Sequence, residues 1–422
     1  FSPQFDVLCL LSFPRDDKIS ASGGEDMRVA GVIAEYNPFH NGHRHHLDET
    51  RRITGCDYLV VALSGAFTQR GEPALLDKWT RAQMALSGGA DLVVELPAVF
   101  AVRTADHFAR GGVELLSALG ADGISFGSET GSLRALNEMS RVLSEEPPAL
   151  KAAIRERLSE GKSHARARGE ALAEYLKLPA AAVNAPNTVL ALEYLKANRA
   201  LEKPMKVAVV QRTGGYHSKE LGPLASASAI REAIYAGRER EAYAAMPESS
   251  TRLIRESGPG ALARLDALDN LLLYRLRSLE AAQIAALPDV SEGLEMRVKK
   301  LCALAPGREA LLAALKCKRY TMARLSRLCV HALIGMDRSL TDAVARPPYA
   351  RVLGFRDRAR PLIREIASYG PLPLVSSAVS LSGDPCFKME CRATDVWGLT
   401  TAEARLRRAG RDFTEKIRIL TE

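Results

Sequence analysis

The chain has 422 residues, of which 47% are hydrophobic and 26% charged, values that are typical of a globular protein with two or three domains. It has no run of about 18 uninterrupted apolar residues, so we expect no membrane-spanning helix. The formal net charge of +8 is compatible with a polyanionic partner, but charge alone does not separate nucleic-acid binders from proteins with small ligands.

The cysteines indicate a reducing environment. The chain has seven of them, and none forms a C-x-x-C motif, so we predict neither a zinc ribbon nor a disulfide framework. Cys386 and Cys391 could pair as metal ligands, but their spacing disfavours it, and we predict no metal site. Buried thiols in a cytoplasmic protein are the expectation.

Residues 1–26 differ in character from the rest. The apolar run Val7–Phe13 has no basic segment before it and no small-residue cleavage pattern after it, so it does not fit a secretory signal. The stretch Ser20–Gly24 is typical of a linker. We expect residues 1–26 to be disordered or foreign to the natural protein, and the first domain to begin at Met27.

Strands and helices alternate in residues 27–240. The segment Arg28–His46 starts as a strand, breaks at Asn37-Pro38 and then starts a helix. This alternation predicts an α/β fold with a Rossmann-like parallel sheet and right-handed crossovers. Later strands are predicted at Asp57–Ser64, Asp91–Leu96, Asp122–Gly127 and Lys206–Gln211, and helices at His43–Arg52, Asp77–Gly88, Thr104–Leu119, Ala149–Ser159, Ser163–Leu176, Asn187–Ala200 and Ser226–Tyr235.

Beyond Glu241 the alternation stops. We predict a second, mainly helical domain over residues 241–422 with a small β-containing tail near Leu372–Val379 and Lys388–Ala393. Its predicted helices are Ala267–Leu279, Ser291–Leu304, Arg308–Lys316 and Thr321–Leu333.

The turn after the first strand has the composition of a phosphate site. His40 and His43 flank Asn41-Gly42 where a helix begins, and Gly42 lets the backbone approach a ligand closely. Helix N–H groups and two imidazoles can donate hydrogen bonds to a phosphate whose charge grows in a transition state. Surface histidines or a metal-binding pair are the alternatives. The residues alone place His45 and His46 on the helix surface.

Other polar loops follow predicted strands. They lie at Gly65, Gly127 and Arg212. Since ligands bind outside the carboxyl ends of parallel strands, we expect these loops and the His40 turn to converge on one crevice.

These motifs together resemble the H-x-G-H nucleotidyltransferase superfamily, in which a second element, an I-S-S-T-x-I-R-like helix start, holds the triphosphate. Ala225–Arg231 (A-S-A-S-A-I-R) matches that element with substitutions. The segments G-V-I-A-E-Y-N-P-F-H-N-G-H, L-S-G-A-F-T-Q-R-G-E-P-A, D-K-W-T-R-A-Q-M-A-L, D-L-V-V-E-L-P and K-R-Y-T-M-A-R-L look more specifically like the bacterial tRNA(Met) cytidine acetate ligases, over about Met27 to Ala393.

The resemblance implies an AMP-forming ligase. Such an enzyme activates acetate with ATP to acetyl-adenylate and acetylates the N4 amine of the wobble cytidine of elongator tRNA(Met). Mg²⁺ is expected to accompany ATP, although no carboxylate cage for it is visible. The resemblance assigns catalysis to His40 and His43, and ATP binding to Ile33, Ala34, Glu35, Tyr36, Asn37, Pro38, Phe39, His40, Asn41, Gly42, His43, Arg44, His45, His46, Gly127, Asn187, Arg212, Thr213, Ser226 and Ser228.

Several of these positions have a local rationale. A side chain at Gly127 would block an adenosine, and Arg212 can meet a phosphate bidentately. Asn187 can instead simply cap its helix. Lys78 and Arg81 are further ligand candidates, but a solvated helix face explains them as well. Gln69-Arg70 lie in a loop that we expect over the crevice, facing acetate or RNA.

The basic run Lys316–Arg327 is the predicted tRNA surface. Cations at near-helical spacing around Tyr320 suit phosphates and a stacked base, although such runs are usually solvated helix faces. The predicted contacts are Lys318, Arg319, Arg324 and Arg327.

Two rival functions stay open at this point. One is another H-x-G-H adenylyltransferase acting on a small molecule, which the large basic second domain disfavours. The other is a non-catalytic RNA-binding protein, which the intact His40, His43 and Arg212 disfavour. The sequence does not indicate an oligomeric state, the features that select one tRNA, or a general base for acetyl transfer.

Overall fold

The structure is a computed structural model, and it describes residues 29–212, 222 and 224–421. The predicted extension 1–26 and the predicted ATP contact Thr213 lie outside these residues. The strands of the described chain are β1 (Val29–Ala34), β2 (Tyr58–Ser64), β3 (Leu92–Leu96), β4 (Gly123–Ser128), β5 (Lys206–Gln211), β6 (Ala350–Arg356), β7 (Leu374–Val375) and β8 (Arg418–Leu420).

All of these strands join one sheet. Its order is β5-β4-β1-β2-β3-β6-β7, and β8 also pairs with β6. Strands β1 to β5 are mutually parallel, as predicted, and β6 runs antiparallel to β3. Strands β2 and β3 are almost entirely buried, because helices cover both faces of the sheet and both strands are continuous apolar runs.

Helices connect and cover the strands. In the described chain they are α1 (Asn41–Thr54), α2 (Lys78–Ser87), α3 (Ala98–Ala101), α4 (Ala105–Ala118), α5 (Leu133–Glu145), α6 (Pro148–Ser159), α7 (His164–Tyr175), α8 (Ala180–Val183), α9 (Pro186–Arg199), α10 (Ala227–Tyr235), α11 (Glu239–Ala244), α12 (Glu248–Ser257), α13 (Asp269–Ser278), α14 (Ala281–Ala285), α15 (Leu294–Cys302), α16 (Arg308–Leu315), α17 (Met322–Ile334), α18 (Arg338–Ala343), α19 (Arg360–Tyr369), α20 (Pro385–Gly398) and α21 (Arg411–Thr414). None of these helices is long and apolar enough to cross a membrane.

Local sequence signals set several helix ends. Asp77 caps α2 by accepting a hydrogen bond from the Thr80 N–H at 2.8 Å. Gly55 ends α1 in the left-handed conformation, at φ 59°, which glycine adopts without a Cβ clash. Both ends agree with the sequence prediction.

The C-terminal part differs from the prediction. Strand β6, which the sequence analysis did not predict, extends the main sheet beside β3. Residues 388–393, predicted as β-like, lie inside helix α20, so that prediction is wrong. Only Leu374 and Val375 of the predicted Leu372–Val379 tail are strand.

Helices α13 to α17 enclose a hydrophobic core of their own. Leu276, Leu311 and Leu325 are among its fully buried members. Helix α17 also packs against α20, whose residues belong to the core around the sheet. The predicted division at residue 240 stays a prediction, and the region after it includes both these helices and three strands of the main sheet.

Candidate active site

A cleft opens at the carboxyl edge of the sheet, between the neighbouring strands β1 and β4. From β1 the strand order continues through β2 to one side, and from β4 it continues to β5 on the other side. Such a switch point is where open α/β sheets bind their ligands. The cleft has about 540 Å³ of empty space. Its lining residues are His40, Gly42, His43, His45, His46, Gly127, Val210, Gln211, Arg212 and Leu224.

Helix α1 begins with a reciprocal capping box made by the two predicted catalytic residues. The Nδ1 atom of His40, the N-cap, accepts a hydrogen bond from the Gly42 N–H at 3.0 Å. The Nδ1 atom of His43, at N3, accepts one from the His40 N–H at 3.3 Å. The two rings stack with their centroids 3.7 Å apart. The cap therefore holds both imidazoles in fixed orientations.

These hydrogen bonds also define the protonation state. Burial, and then the nearby Arg212 guanidinium, lower the pKa of His40 to about 3. Burial, and then His40, Arg212 and His46, lower the pKa of His43 well below its usual value. Both rings are therefore neutral near pH 7. Because each Nδ1 accepts a backbone N–H, the proton of each ring lies on Nε2, which leaves two N–H donors for a ligand.

His46 corrects the sequence interpretation. It was predicted to lie on the helix surface, but it lines the cleft, and its Nε2 is 3.1 Å from Ser125 Oγ on β4. Burial lowers the pKa of His46 to about 4, with Arg212 as the next cause. His45 also lines the cleft, although it is exposed as predicted.

Arg212 follows β5 and faces the histidines across the cleft. Its backbone N–H donates to Ser128 O at 3.0 Å, and its Nε is buried without a partner among the described residues. A Cβ at Gly127 would lie 3.2 Å from Cγ of Arg212. A larger residue at 127 would therefore push the arginine out of place.

Asn187 does not cap its helix. Helix α9 begins at Pro186, with Ala185 as the N-cap, so the capping alternative is wrong. Instead, Asn187 Nδ2 donates to Glu129 Oε1 at 2.6 Å. The other Glu129 oxygen accepts from the Thr188 N–H at 3.0 Å and from its hydroxyl at 3.1 Å. The residues after β4 are thus tied to α9.

The second predicted motif lies against the His40 turn. Ser226 is the N-cap of α10, and its hydroxyl lies 3.1 Å from that of Ser228. Arg231 of the same helix donates to the Asn37 carbonyl at 2.7 Å. The Asn37 side chain accepts from the Leu75 N–H at 2.7 Å. The start of α10 is therefore fixed relative to the histidines.

Lys78 and Arg81 are buried, so the interpretation of a solvated helix face is wrong, and neither residue lines the cleft. Arg81 is fully buried and donates to the carbonyls of Glu35 and Ser64, at 2.7 and 3.0 Å, and to that of Gly65. Lys78 is buried between Glu95 and Asp412, at 2.6 and 2.7 Å. Arg81 thus ties the carboxyl ends of β1 and β2 together through their carbonyl groups.

The loop after β2 is anchored on both sides. The Gln69 N–H donates to Glu35 Oε1 at 2.6 Å, and its amide donates to the Arg103 carbonyl at 2.8 Å. Gly71, at φ 77°, packs so closely on α17 that a Cβ there would lie 2.4 Å from the Arg327 nitrogen. The loop therefore joins the end of β1 to the helical region.

Some residues in the predicted ATP-binding stretch also belong to the core. Tyr36 and Phe39 are buried and pack edge to face, with their centroids 4.8 Å apart. Conversely, Val210, Gln211 and Leu224 line the cleft although sequence reasoning did not select them. The position of Val210 and Gln211 directly before Arg212 was the available signal.

The four predicted tRNA contacts of the basic run differ in their exposure to solvent. Lys318 and Arg319 are exposed in the segment before α17. Arg324 is partly buried and bonds to the Asp289 carbonyl and Ser291. Arg327 is only 5% exposed and pairs with Asp289 at 2.6 Å. Such burial does not fit the predicted RNA contact by Arg327.

No group of three or more His, Cys, Asp or Glu side chains that could hold a metal ion occurs among the described residues. The polar groups that line the cleft are mainly hydrogen-bond donors, namely N–H groups and the Arg212 cation, and such groups suit an anionic ligand.

The chain matches one family model along most of its length. That model, HIGH Nucleotidyl Transferase, covers residues 27–412. The tRNA(Met) cytidine acetate ligase of Thermoanaerobacter sp. (strain X514) is 37% identical over 405 residues, 93% of this chain and 99% of the relative. The tRNA(Met) cytidine acetate ligase of Acetivibrio thermocellus is 36% identical over 417 residues, 93% of this chain and 100% of the relative.

Solved structures show the same fold. The apo structure of Thermotoga maritima TmcAL matches with a TM-score of 0.87 and 29% identity, over 94% of this chain and 100% of that one. The structure of the same protein bound with alpha-thio ATP matches with a TM-score of 0.85 and 30% identity over the same shares. The predicted α/β fold is confirmed. The chain therefore belongs to the tRNA(Met) cytidine acetate ligase family of HIGH nucleotidyl transferases.

Proposed function

We propose that this protein is an ATP-dependent tRNA(Met) cytidine acetate ligase, which activates acetate as acetyl-adenylate and forms N4-acetylcytidine at the wobble position of elongator tRNA(Met). One observation carries the proposal. His40 and His43 present two neutral Nε2–H donors at a helix N-terminus, opposite Arg212, in a chain that matches acetate ligases along their full length.

The first step is adenylation. An acetate oxygen attacks the α-phosphorus of ATP, and pyrophosphate leaves with the electron pair of the broken P–O bond. His40 and His43 stabilise the α-phosphate oxygens as negative charge grows on them, and Arg212 neutralises the phosphates. Gly127 leaves room beside β4 for the adenosine, and Ser226 and Ser228 start a helix whose N–H groups hold the triphosphate.

The remaining proposed ATP contacts flank the residues that hold the phosphates. Asn187 acts through Glu129, and the segment from Ile33 to His46 runs from the end of β1 into the start of α1. That segment and the residue after Arg212 supply the other proposed contacts: Ile33, Ala34, Tyr36, Asn37, Pro38, Phe39, Asn41, Gly42, Arg44, His45, His46 and Thr213.

The second step is acetyl transfer. The cytidine N4 lone pair is delocalised into the ring, so the amine is a weak nucleophile, and holding it against the activated carbonyl supplies much of the acceleration. A wobble base is unpaired and can be extruded into a pocket. Lys318 and Arg319 are the exposed cations that we assign to tRNA phosphates.

Mg²⁺ has no carboxylate cluster to bind among the described residues. A magnesium ion would enter with ATP, held by the triphosphate oxygens, and would offset phosphate charge. No protein residue is assigned to it.

The decisive experiment supplies protein, ATP, labelled acetate and unmodified elongator tRNA(Met) transcript. We expect label on the RNA and none on a transcript whose wobble cytidine is replaced by uridine. An AMP adduct on another small molecule without labelled RNA would indicate a different adenylyltransferase. RNA binding without ATP turnover would indicate a non-catalytic RNA-binding protein.

A further inference from the structure

Acetyl transfer releases a proton, and the residues assigned to adenylation do not accept it. When the cytidine N4 bonds to the acetyl carbon, the nitrogen must lose one hydrogen to give the neutral amide. A general base beside the acetyl group would take that proton as the bond forms. The need for such a base rests on the proposed function.

Glu35 is a carboxylate at the carboxyl end of β1, close in sequence to the cleft. It directly follows β1, five residues before His40. The cleft extends from His40 toward β4 and β5, as its lining by Gly127 and Arg212 shows. Glu35 turns the other way, because its Oε1 accepts from the Gln69 N–H of the loop after β2. It therefore lies between the phosphate end of the cleft and a polar loop.

The Glu35 side chain is fixed by a hydrogen bond, and the residue is not fully buried. The Gln69 hydrogen bond engages Oε1, and Arg81 fixes the Glu35 backbone by donating to its carbonyl at 2.7 Å. The residue keeps partial exposure to solvent, unlike its neighbours Tyr36 and Asn37, which are 2% and 4% exposed. Glu35 thus combines a fixed position with partial exposure of the residue, as a reacting group requires.

Its electrostatic surroundings keep it reactive. Burial raises the pKa of Glu35 above its usual value, although the Gln69 N–H and three guanidinium groups act in the opposite direction. A carboxylate with a raised pKa is a stronger base. The charged or titratable groups that face Glu35 are Arg70 in the loop, Arg81 on α2, Arg231 on α10 and Tyr194 on α9.

The other groups near the site are unsuited to the task. His40 and His43 already carry their proton on Nε2 and use Nδ1 to accept backbone N–H groups. Both oxygens of Glu129 accept hydrogen bonds from α9. Glu72 faces Arg231 at 3.4 Å and is the more exposed partner of that pair.

We propose that Glu35 is the catalytic base for acetyl transfer. The N4 nitrogen attacks the acetyl carbonyl carbon, the bond from that carbon to the phosphate oxygen breaks, and AMP leaves with the electron pair. The N4 proton passes to Oε2 of Glu35. The positive charges of Arg70 and Arg231 stabilise the ionised form of the base before transfer.

The test separates the two half-reactions in Glu35→Gln. A glutamine oxygen still accepts from the Gln69 N–H, so the loop keeps its anchor. Acetate-dependent ATP–pyrophosphate exchange should stay within about threefold of wild type. Single-turnover transfer from enzyme-held acetyl-adenylate to elongator tRNA(Met) should fall about 10²- to 10⁴-fold, with adenylate accumulating. Glu49→Gln, which removes a half-buried carboxylate on α1 that pairs with Arg52 at 2.8 Å, is the matched control and should leave both half-reactions unchanged.

Two results would overturn the proposal. Transfer at the wild-type rate in Glu35→Gln would mean that no base is lost, and an equal fall in exchange and transfer would place Glu35 in ATP binding. If Glu35→Gln fails to fold, Glu35→Asp decides, because the acidic limb of its transfer rate must shift relative to wild type, and an unshifted limb refutes the assignment. Wild-type protein that acetylates no tRNA would refute the proposed function itself.

Discussion

The Nδ1 atom of His43 accepts the backbone N–H of His40 at 3.3 Å, so the second histidine of the motif caps the first. The Nδ1 atom of His40 in turn accepts a hydrogen bond from the Gly42 N–H in the first turn of α1. The spacing of three residues is therefore the spacing of a helix capping box, from N-cap to N3. The same two bonds orient both Nε2–H groups. Each imidazole therefore caps the helix through Nδ1 and offers its Nε2–H to a ligand.

His40→Asn separates these two roles. Asparagine is a good N-cap and keeps the start of α1, but it lacks the Nε2–H donor. We expect acetate-dependent ATP–pyrophosphate exchange to fall by about 10²- to 10³-fold, the usual effect of losing one transition-state hydrogen bond, while tRNA affinity stays near wild type. Exchange assays and filter binding measure the two quantities.

His40→Ala is the companion variant. It should lose the same activity and, in addition, about 1 kcal/mol of unfolding free energy in urea, because the cap is removed as well. Wild-type exchange in His40→Asn would show that the donor is not used.

The sequence predicted the parallel half of the sheet closely, because β1 to β5 are apolar runs bounded by turns and followed by amphipathic helices. It did not predict β6, and the reason is physical. Ala350–Arg356 carries Arg351 and Arg356 in a short run, and Arg351 is tolerated there only because Glu95 and Asp412 neutralise it. Both partners come from distant segments, and such pairing leaves no local pattern.

The same limit applies to the site. The His40 turn could be predicted because its chemistry lies within one short segment. The burial of Arg81 and Arg327 could not, since each depends on contacts with loops that are remote in sequence. Glu35 was selected only by family resemblance, and its position against Gln69 gave it a chemical role.

Reversing two exposed charges tests the proposed tRNA surface. In Lys318→Glu/Arg319→Glu, we expect weaker tRNA(Met) binding and a shallower dependence of log K on log salt, by about 0.7 to 0.9 per lost phosphate contact. Pyrophosphate exchange should not change. The control reverses Lys151 and Arg155, two exposed cations on α6. Equal salt slopes in wild type and the first variant would remove Lys318 and Arg319 from the interface.

A buried ion cluster joins the C-terminal segment to the sheet. Lys78 and Arg351 both contact Glu95 and Asp412, and all four side chains are nearly inaccessible. The two cations lower the pKa of Asp412 to about 2 even though burial opposes this. Asp412→Asn should therefore cost about 3–5 kcal/mol of unfolding free energy near pH 7, because two buried cations each lose one of their two carboxylate partners.

Glu390→Gln provides the contrast within the same cluster. Burial, and then the charge of Glu95, raise the pKa of Glu390 well above its usual value, which favours the neutral acid. Its oxygen accepts the Ala98 N–H, which a glutamine oxygen can also do. We expect a change within about 1 kcal/mol. Urea unfolding of both variants measures the difference, and comparable losses would contradict the protonation assigned to Glu390.

His331 predicts how stability depends on pH. It is fully buried on α17, its Nε2 bonds to the Val102 carbonyl at 2.6 Å, and its Nδ1 has no partner in the described part of the chain. Burial is the largest cause of a pKa lowered to about 4. Arg327 and Arg103 act in the same direction, and Asp289 and the hydrogen bond to the Val102 carbonyl act against it. The unfolded chain, with a histidine pKa near 6.5, therefore binds this proton more readily than the native protein.

It follows that the contribution of neutral His331 is complete above about pH 6.5 and is lost as the pH falls toward 4, by up to about 1.4 kcal/mol per pH unit. His331→Gln keeps an N–H donor for Val102 but cannot titrate. We expect it to be less stable than wild type at pH 7.5 and to converge with wild type as the pH falls to 4.5, in urea unfolding at several pH values. His164→Gln, at the exposed start of α7, should run parallel to wild type throughout, because its ring is solvated in both states. Parallel curves for His331→Gln and wild type would show that the native protein takes up this proton as readily as the unfolded chain.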